Sequence, residues 1–118
     1  MKNKNFFQSV KRAAIGFVNG FRSERNFKVY TVIALIFLAL NIITGSGMYD
    51  YIMMLSLICA AFSAEYFNTA LERLCDSFCS KKDDDVKFIK DVAAGAVLAA
   101  GIAFFTAEGV ILAKNILC

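Results

Sequence analysis

Residues 63–76 read SAEYFNTALERLCD. Ahead of them, residues 51–62 contain no charged side chain, yet the stretch itself carries Glu65, Asn68, Glu72 and Asp76. On a helix these positions follow i, i+3, i+7 and i+11, so they form one narrow stripe. If the helix enters hydrocarbon near Tyr51, a rise of ~1.5 Å per residue puts Glu65 about 21 Å in and Glu72 about 31 Å in. Against an apolar core ~30 Å thick, Glu72 and Asp76 reach water while Glu65 stays beneath the headgroups. A carboxylate at membrane depth costs about 2.5–3.5 kcal/mol and marks a functional site by default. A structural reading, with Asn68 and Glu72 bridging helices, explains the wet end of the row. It explains Glu65 poorly, because an apolar residue there would be cheaper.

The surrounding chain supports the membrane reading. The protein has 118 residues, 58% of them hydrophobic, with no proline. Soluble domains are nearer ~45–50% apolar, and the absence of proline favours unbroken helices. One domain, 1–118, is expected, all-α and integral to the membrane. Residues 4–22 have an aromatic-rich apolar face opposite Gln8, Lys11, Arg12, Asn19 and Arg22, the pattern of a helix lying in the interface. Membrane helices are predicted at 27–44, 50–78 and 86–115. Gly45-Ser46-Gly47 forms the first turn, and the aspartates of SKKDDD (80–85) cap the third span. No signal peptide is read at the start of the chain.

Lys and Arg crowd the segment before the first span and the loop between the second and third, whereas residues 45–50 have none. The positive-inside rule places the N-terminus and the acidic end of the row in the cytoplasm. A net charge of +3 gives no nucleic-acid footprint, and histidine is absent. Cys59, Cys75, Cys79 and Cys118 lack zinc-site spacing and read as small apolar residues. Glu108 is expected near the outer interface, snorkelling to water or pairing with Lys114.

Other polar groups belong to the level of the row. Glu24 closes the interfacial helix, and Lys90 and Asp91 begin the third span. Carboxylates that share a site need a cation between them, and Mg²⁺ is usually held by one or two carboxylates plus substrate phosphates. A lysine can meet the remaining phosphate charge. This chemistry suits phosphoryl transfer from a nucleotide to a lipid hydroxyl, with Glu65 deep enough to accept the hydroxyl proton. No GxxxxGK[ST] phosphate loop is present. A cation-coupled transporter would place its acid nearer the midplane, and a holin-like pore would need no such convergence.

AEYFNTALERLCD (64–76), with its ExxNxAxE pattern, SERNFK (23–28) and KDVAAGAVL (90–98) resemble the prokaryotic diacylglycerol kinase family, in its Gram-positive undecaprenol kinase branch. The resemblance implies a homotrimeric, multi-pass lipid kinase of the bacterial cell membrane, using ATP and Mg²⁺ at sites shared between subunits. It implies Glu65 as catalytic base with Asn68 supporting it, and Glu24 and Glu72 as metal ligands. Asp76, Lys90 and Asp91 would join them around the nucleotide, with Lys11 or Arg12 as a further basic contact. The segment from Asn26 through Phe27 and Lys28 to Tyr30, together with Ala94, would border the lipid. Relatives that phosphorylate diacylglycerol tend to have serine at the position of Ala94, so undecaprenol is the expected substrate and diacylglycerol the alternative.

Overall fold

Inside a bilayer the backbone finds no water to bond, so a long apolar run satisfies itself by forming a helix. The computed structural model, which describes residues 5–79 and 83–118, has four helices in chain order. They are α1 (Phe6–Ser23), α2 (Arg25–Thr44), α3 (Met48–Phe78) and α4 (Asp84–Leu117). The last three are long and apolar enough to cross a membrane. Residues 80–82 of the loop before α4 lie outside the described residues.

Each helix end has a local cause. The Asn5 side chain accepts the Gln8 N–H at 2.8 Å and starts α1. A single extended residue, Glu24, separates α1 from α2. Gly45 ends α2 in the left-handed region, φ 82°, where a Cβ would be strained. There the Gly45 and Ser46 N–H groups close back on the Asn41 carbonyl at 3.1 and 3.0 Å. The Asp50 carboxylate accepts the Gly47 N–H at the start of α3, and Asp83 accepts the Asp85 N–H at the start of α4. Free N–H groups at a helix start explain why acids sit there.

α3 and α4 pack along much of their length, and α2 lies more loosely against both. Much of the apolar surface points outward, including Val32, Leu35, Leu55, Leu98 and Val110. That is expected where the solvent is lipid rather than water. α1 has no buried residue. It is tied to α3 through Tyr66, whose hydroxyl donates to the Phe17 carbonyl at 2.7 Å and whose ring lies 4.9 Å from that of Phe17. At Gly20 an added Cβ would collide with the Tyr66 ring. Gly20→Ala is therefore expected to cost about 1–3 kcal/mol, as over-packing does, and to loosen α1, read as faster proteolysis within residues 6–23. Gly16, with open space at its Cβ position, serves as the control.

The far end of the bundle, where α2 meets α3, has its own polar core. Asn41 and Glu108 are both fully buried. The Asn41 amide donates to Glu108 Oε1 at 2.6 Å and to the Phe37 carbonyl at 2.7 Å. The Asn41 Oδ1 accepts from the Ser46 hydroxyl at 2.6 Å, and Ser46 in turn accepts from the Asn115 amide at 2.8 Å. Glu108 thus neither snorkels nor meets Lys114, which instead bridges to Asp50 at 3.0 Å. The acid is better served by an amide already fixed inside the bundle than by a lysine about two helical turns away.

Candidate active site

Phe27 sets the geometry of the other end. It is fully buried, with ring centroids of Tyr66, Phe62 and Phe21 at 4.3, 6.1 and 6.3 Å. This cluster fastens the first turn of α2 onto α3, so Phe27 acts on the site through packing. The flanking residues, Asn26 and Tyr30, then meet Glu65. The Tyr30 hydroxyl donates to Glu65 Oε1 at 3.3 Å, and the Thr69 hydroxyl donates to Oε2 at 3.4 Å. The Asn26 side chain also comes within reach of this carboxylate. Glu65 is 3% exposed, so these donors stand in for water.

One turn further along α3, Asn68 is also buried, and among the described residues its Oδ1 has no hydrogen-bond partner. A buried carbonyl oxygen left unmatched is costly. An amide oxygen is also a hard ligand of the kind Mg²⁺ takes and an acceptor for a hydroxyl. Glu72 follows, half-buried and within electrostatic reach of both Glu65 and Lys90. Lys90 crosses from α4 to bind Asp76 Oδ1 at 2.6 Å. The row therefore runs from a dry carboxylate, through an unmatched amide oxygen, to a wet ion pair.

Other predicted residues fall differently. Asp91 is turned to Lys87 on its own helix, 2.6 Å away, while its neighbour Lys90 faces the row. Glu24 is half-buried at the α1–α2 junction and makes no side-chain cap. Lys28 is exposed, with its ammonium 5.6 Å from the Phe21 ring centroid. Lys11 and Arg12 are exposed on α1. Ala94 lines a groove of about 620 Å³, together with Tyr30, Ala34, Phe62, Gly101 and Phe105. The groove is apolar almost throughout and begins at the tyrosine that holds Glu65. The sequence reading did not assign Tyr30 or Thr69 to the carboxylate. Thr69 had a visible signal, standing one helical turn after Glu65.

The joined features are a shielded carboxylate, an apolar groove beside it and a cation–acid pair at the watery end, all in a bundle built to span lipid. They match a known class. The chain belongs to the prokaryotic diacylglycerol kinase family, whose model matches residues 11–112. It is a membrane lipid kinase, a phosphotransferase with ATP as donor. Among curated proteins it is similar to the undecaprenol kinase of Bacillus subtilis (strain 168), at 34% identity over 92 residues, covering 78% of this chain and 75% of that protein. No solved structure matches the chain.

Proposed function

We propose that this protein transfers the γ-phosphoryl group of ATP to undecaprenol, giving undecaprenyl phosphate, at the cytoplasmic face of the bacterial inner membrane. The carrying observation is Glu65: a nearly dry carboxylate, held by donors from α2 and α3, where an apolar groove meets a charged end. Similarity to the Bacillus subtilis undecaprenol kinase supports the choice of alcohol. Alanine rather than serine at position 94 of the groove suits a plain isoprenoid alcohol better than a glycerol headgroup. Positive charge around α1 and the loop before α4 supports the cytoplasmic orientation.

In this reading the lipid alcohol lies along the groove, bordered by Tyr30 and Ala94, with Asn26 and Lys28 at its mouth. Glu65 takes the hydroxyl proton as the oxygen attacks phosphorus, and the hydrogen bond from Tyr30 keeps the carboxylate facing that oxygen. Asn68 offers its free Oδ1 to the same region. Lys90, held in place by Asp76, meets phosphate charge at the wet end, and Asp91 joins the nucleotide contacts once ATP draws it from Lys87. Mg²⁺ is part of the proposal: Glu72 and Glu24 would supply carboxylates and Asn68 an amide oxygen, the hard donors Mg²⁺ takes together with substrate phosphates, and the ion would neutralise charge on the transferring phosphate. A homotrimer, with sites completed by neighbouring subunits, is part of the proposal.

The test is turnover of the detergent-purified protein with ATP, Mg²⁺ and either undecaprenol or a diacylglycerol. Faster use of undecaprenol is expected, whereas faster use of diacylglycerol would reverse the assignment. Lys90→Ala should raise KM for ATP roughly tenfold, the scale of one charge-assisted contact, with a smaller change in KM for the lipid. An unchanged KM for ATP would remove Lys90 from the nucleotide site.

A further inference from the structure

The wet end of α3 carries a feature that phosphoryl transfer does not use. Cys75 and Cys79 stand one turn apart at the end of α3. Cys75 is 5% exposed, whereas Cys79 is open to solvent. Cys79 is also where the helix stops: its backbone is extended, φ −125° and ψ 154°, and its N–H makes the closing bond to the Cys75 carbonyl at 2.9 Å. Lys90 is bonded to Asp76, the residue directly after Cys75, at 2.6 Å.

We propose that Cys75 and Cys79 form a reversible intrachain disulfide that switches off the nucleotide end of the site. The inference rests on the kinase reading for its consequence, but not for its chemistry. The Cys79 thiolate attacks a low-molecular-weight disulfide, RSSR, forming the mixed disulfide Cys79–S–S–R and releasing RS⁻. The Cys75 thiolate then attacks the Cys79 sulfur, forming the Cys75–Cys79 bond and releasing a second RS⁻. Two protein thiols are oxidised, RSSR is reduced to two RSH, and the cysteine protons pass to the released thiolates. Exposed Cys79 is the entry point and shielded Cys75 the resolving thiol, the arrangement found in redox-sensing pairs.

Helix geometry supplies the switch. Cβ atoms one turn apart are about 5–6 Å from each other, but a disulfide needs about 3.8 Å. The bond cannot close on an intact turn. Cys79, already outside helical geometry, must swing inward, breaking its N–H bond to Cys75 and opening the last turn of α3, which carries Asp76. A disulfide strained in this way is readily reduced again. Cys59, midway along α3, and Cys118, at the far chain end, have no such place in the site.

The experiment uses the full chain with Cys59→Ser and Cys118→Ser, treated with oxidised glutathione and read by intact mass, KM for ATP and binding of a fluorescent ATP analogue. The expected product has lost two hydrogens and carries no glutathione. Its KM for ATP and its dissociation constant for the analogue should rise roughly tenfold, the loss of one charge-assisted contact, and dithiothreitol should restore both. Adding Cys79→Ser should abolish the response, and adding Cys75→Ser should stop the reaction at a glutathione adduct. A stable adduct on Cys79 with Cys75 present, or a disulfide that leaves nucleotide affinity unchanged, would overturn the proposal. If the reduced protein phosphorylated no lipid, the proposed function would fail, while mass and analogue binding would still decide the switch.

Discussion

Glu65→Gln is expected to reduce lipid phosphorylation by about 10²–10⁴-fold, the contribution of a positioned general base. The substitution keeps the shape of the side chain: its amide oxygen accepts from one of the two hydroxyls, Tyr30 or Thr69, which reach different carboxylate oxygens, and the other hydroxyl can turn to accept from the amide NH2. It removes the ability to take a proton. The side chain is 3% exposed, so a neutral amide is also cheaper to bury than a carboxylate, and the variant should be at least as resistant to unfolding as the parent. Activity lost with stability kept separates chemistry from folding. A Glu65→Gln protein that turned over at the parent rate would show that the proton leaves by another route.

Asn41→Leu is expected to destabilise the bundle by about 1–3 kcal/mol, the cost of leaving a buried acceptor without its hydrogen-bond donor. Glu108 is wholly enclosed, and among the described residues its Oε2 already lacks a hydrogen-bond partner. Without the Asn41 amide, its Oε1 loses its 2.6 Å donor as well. Glu108→Leu alone should cost less, because the Asn41 amide keeps its bond to the Phe37 carbonyl and its oxygen keeps Ser46. Asn41→Leu combined with Glu108→Leu should recover most of the loss, since both buried hydrogen-bonding groups depart together. Unfolding in mixed detergent, followed by loss of helix signal, gives the cycle. Simple additivity of the two single losses would mean that the pair is not coupled.

The contrast between these two ends shows what a sequence can disclose. The acidic row was legible because its members share one helix, so period and rise alone give the stripe and its depth. The spans were legible because an apolar run in lipid has one way to satisfy its backbone. The turn at Gly45 was legible because the left-handed conformation selects glycine. What escaped depends on contacts between helices. Asn41 and Glu108 are separated by 67 positions and Tyr30 and Glu65 by 35. No local pattern says that either pair will meet. Glu108 therefore looked like a residue bound for water, when the fold had already prepared an amide for it. Asp91 escaped for the opposite reason: its partner Lys87 lies one turn away, a local pair overshadowed by the expectation of a cluster across helices.

Sidedness is the central claim: ATP must reach the end of α3 that carries Glu72, Asp76 and Lys90, opposite the end of the chain at Cys118. The direct measurement reconstitutes a variant whose sole cysteine is Cys118 into sealed vesicles containing undecaprenol. Membrane-impermeant maleimide applied outside reports which molecules expose Cys118, and labelled ATP is then supplied only outside. Labelled undecaprenyl phosphate should scale with the fraction of molecules whose Cys118 is protected. Product that scaled instead with the accessible fraction would put the active site at the opposite end of the bundle and contradict the claim.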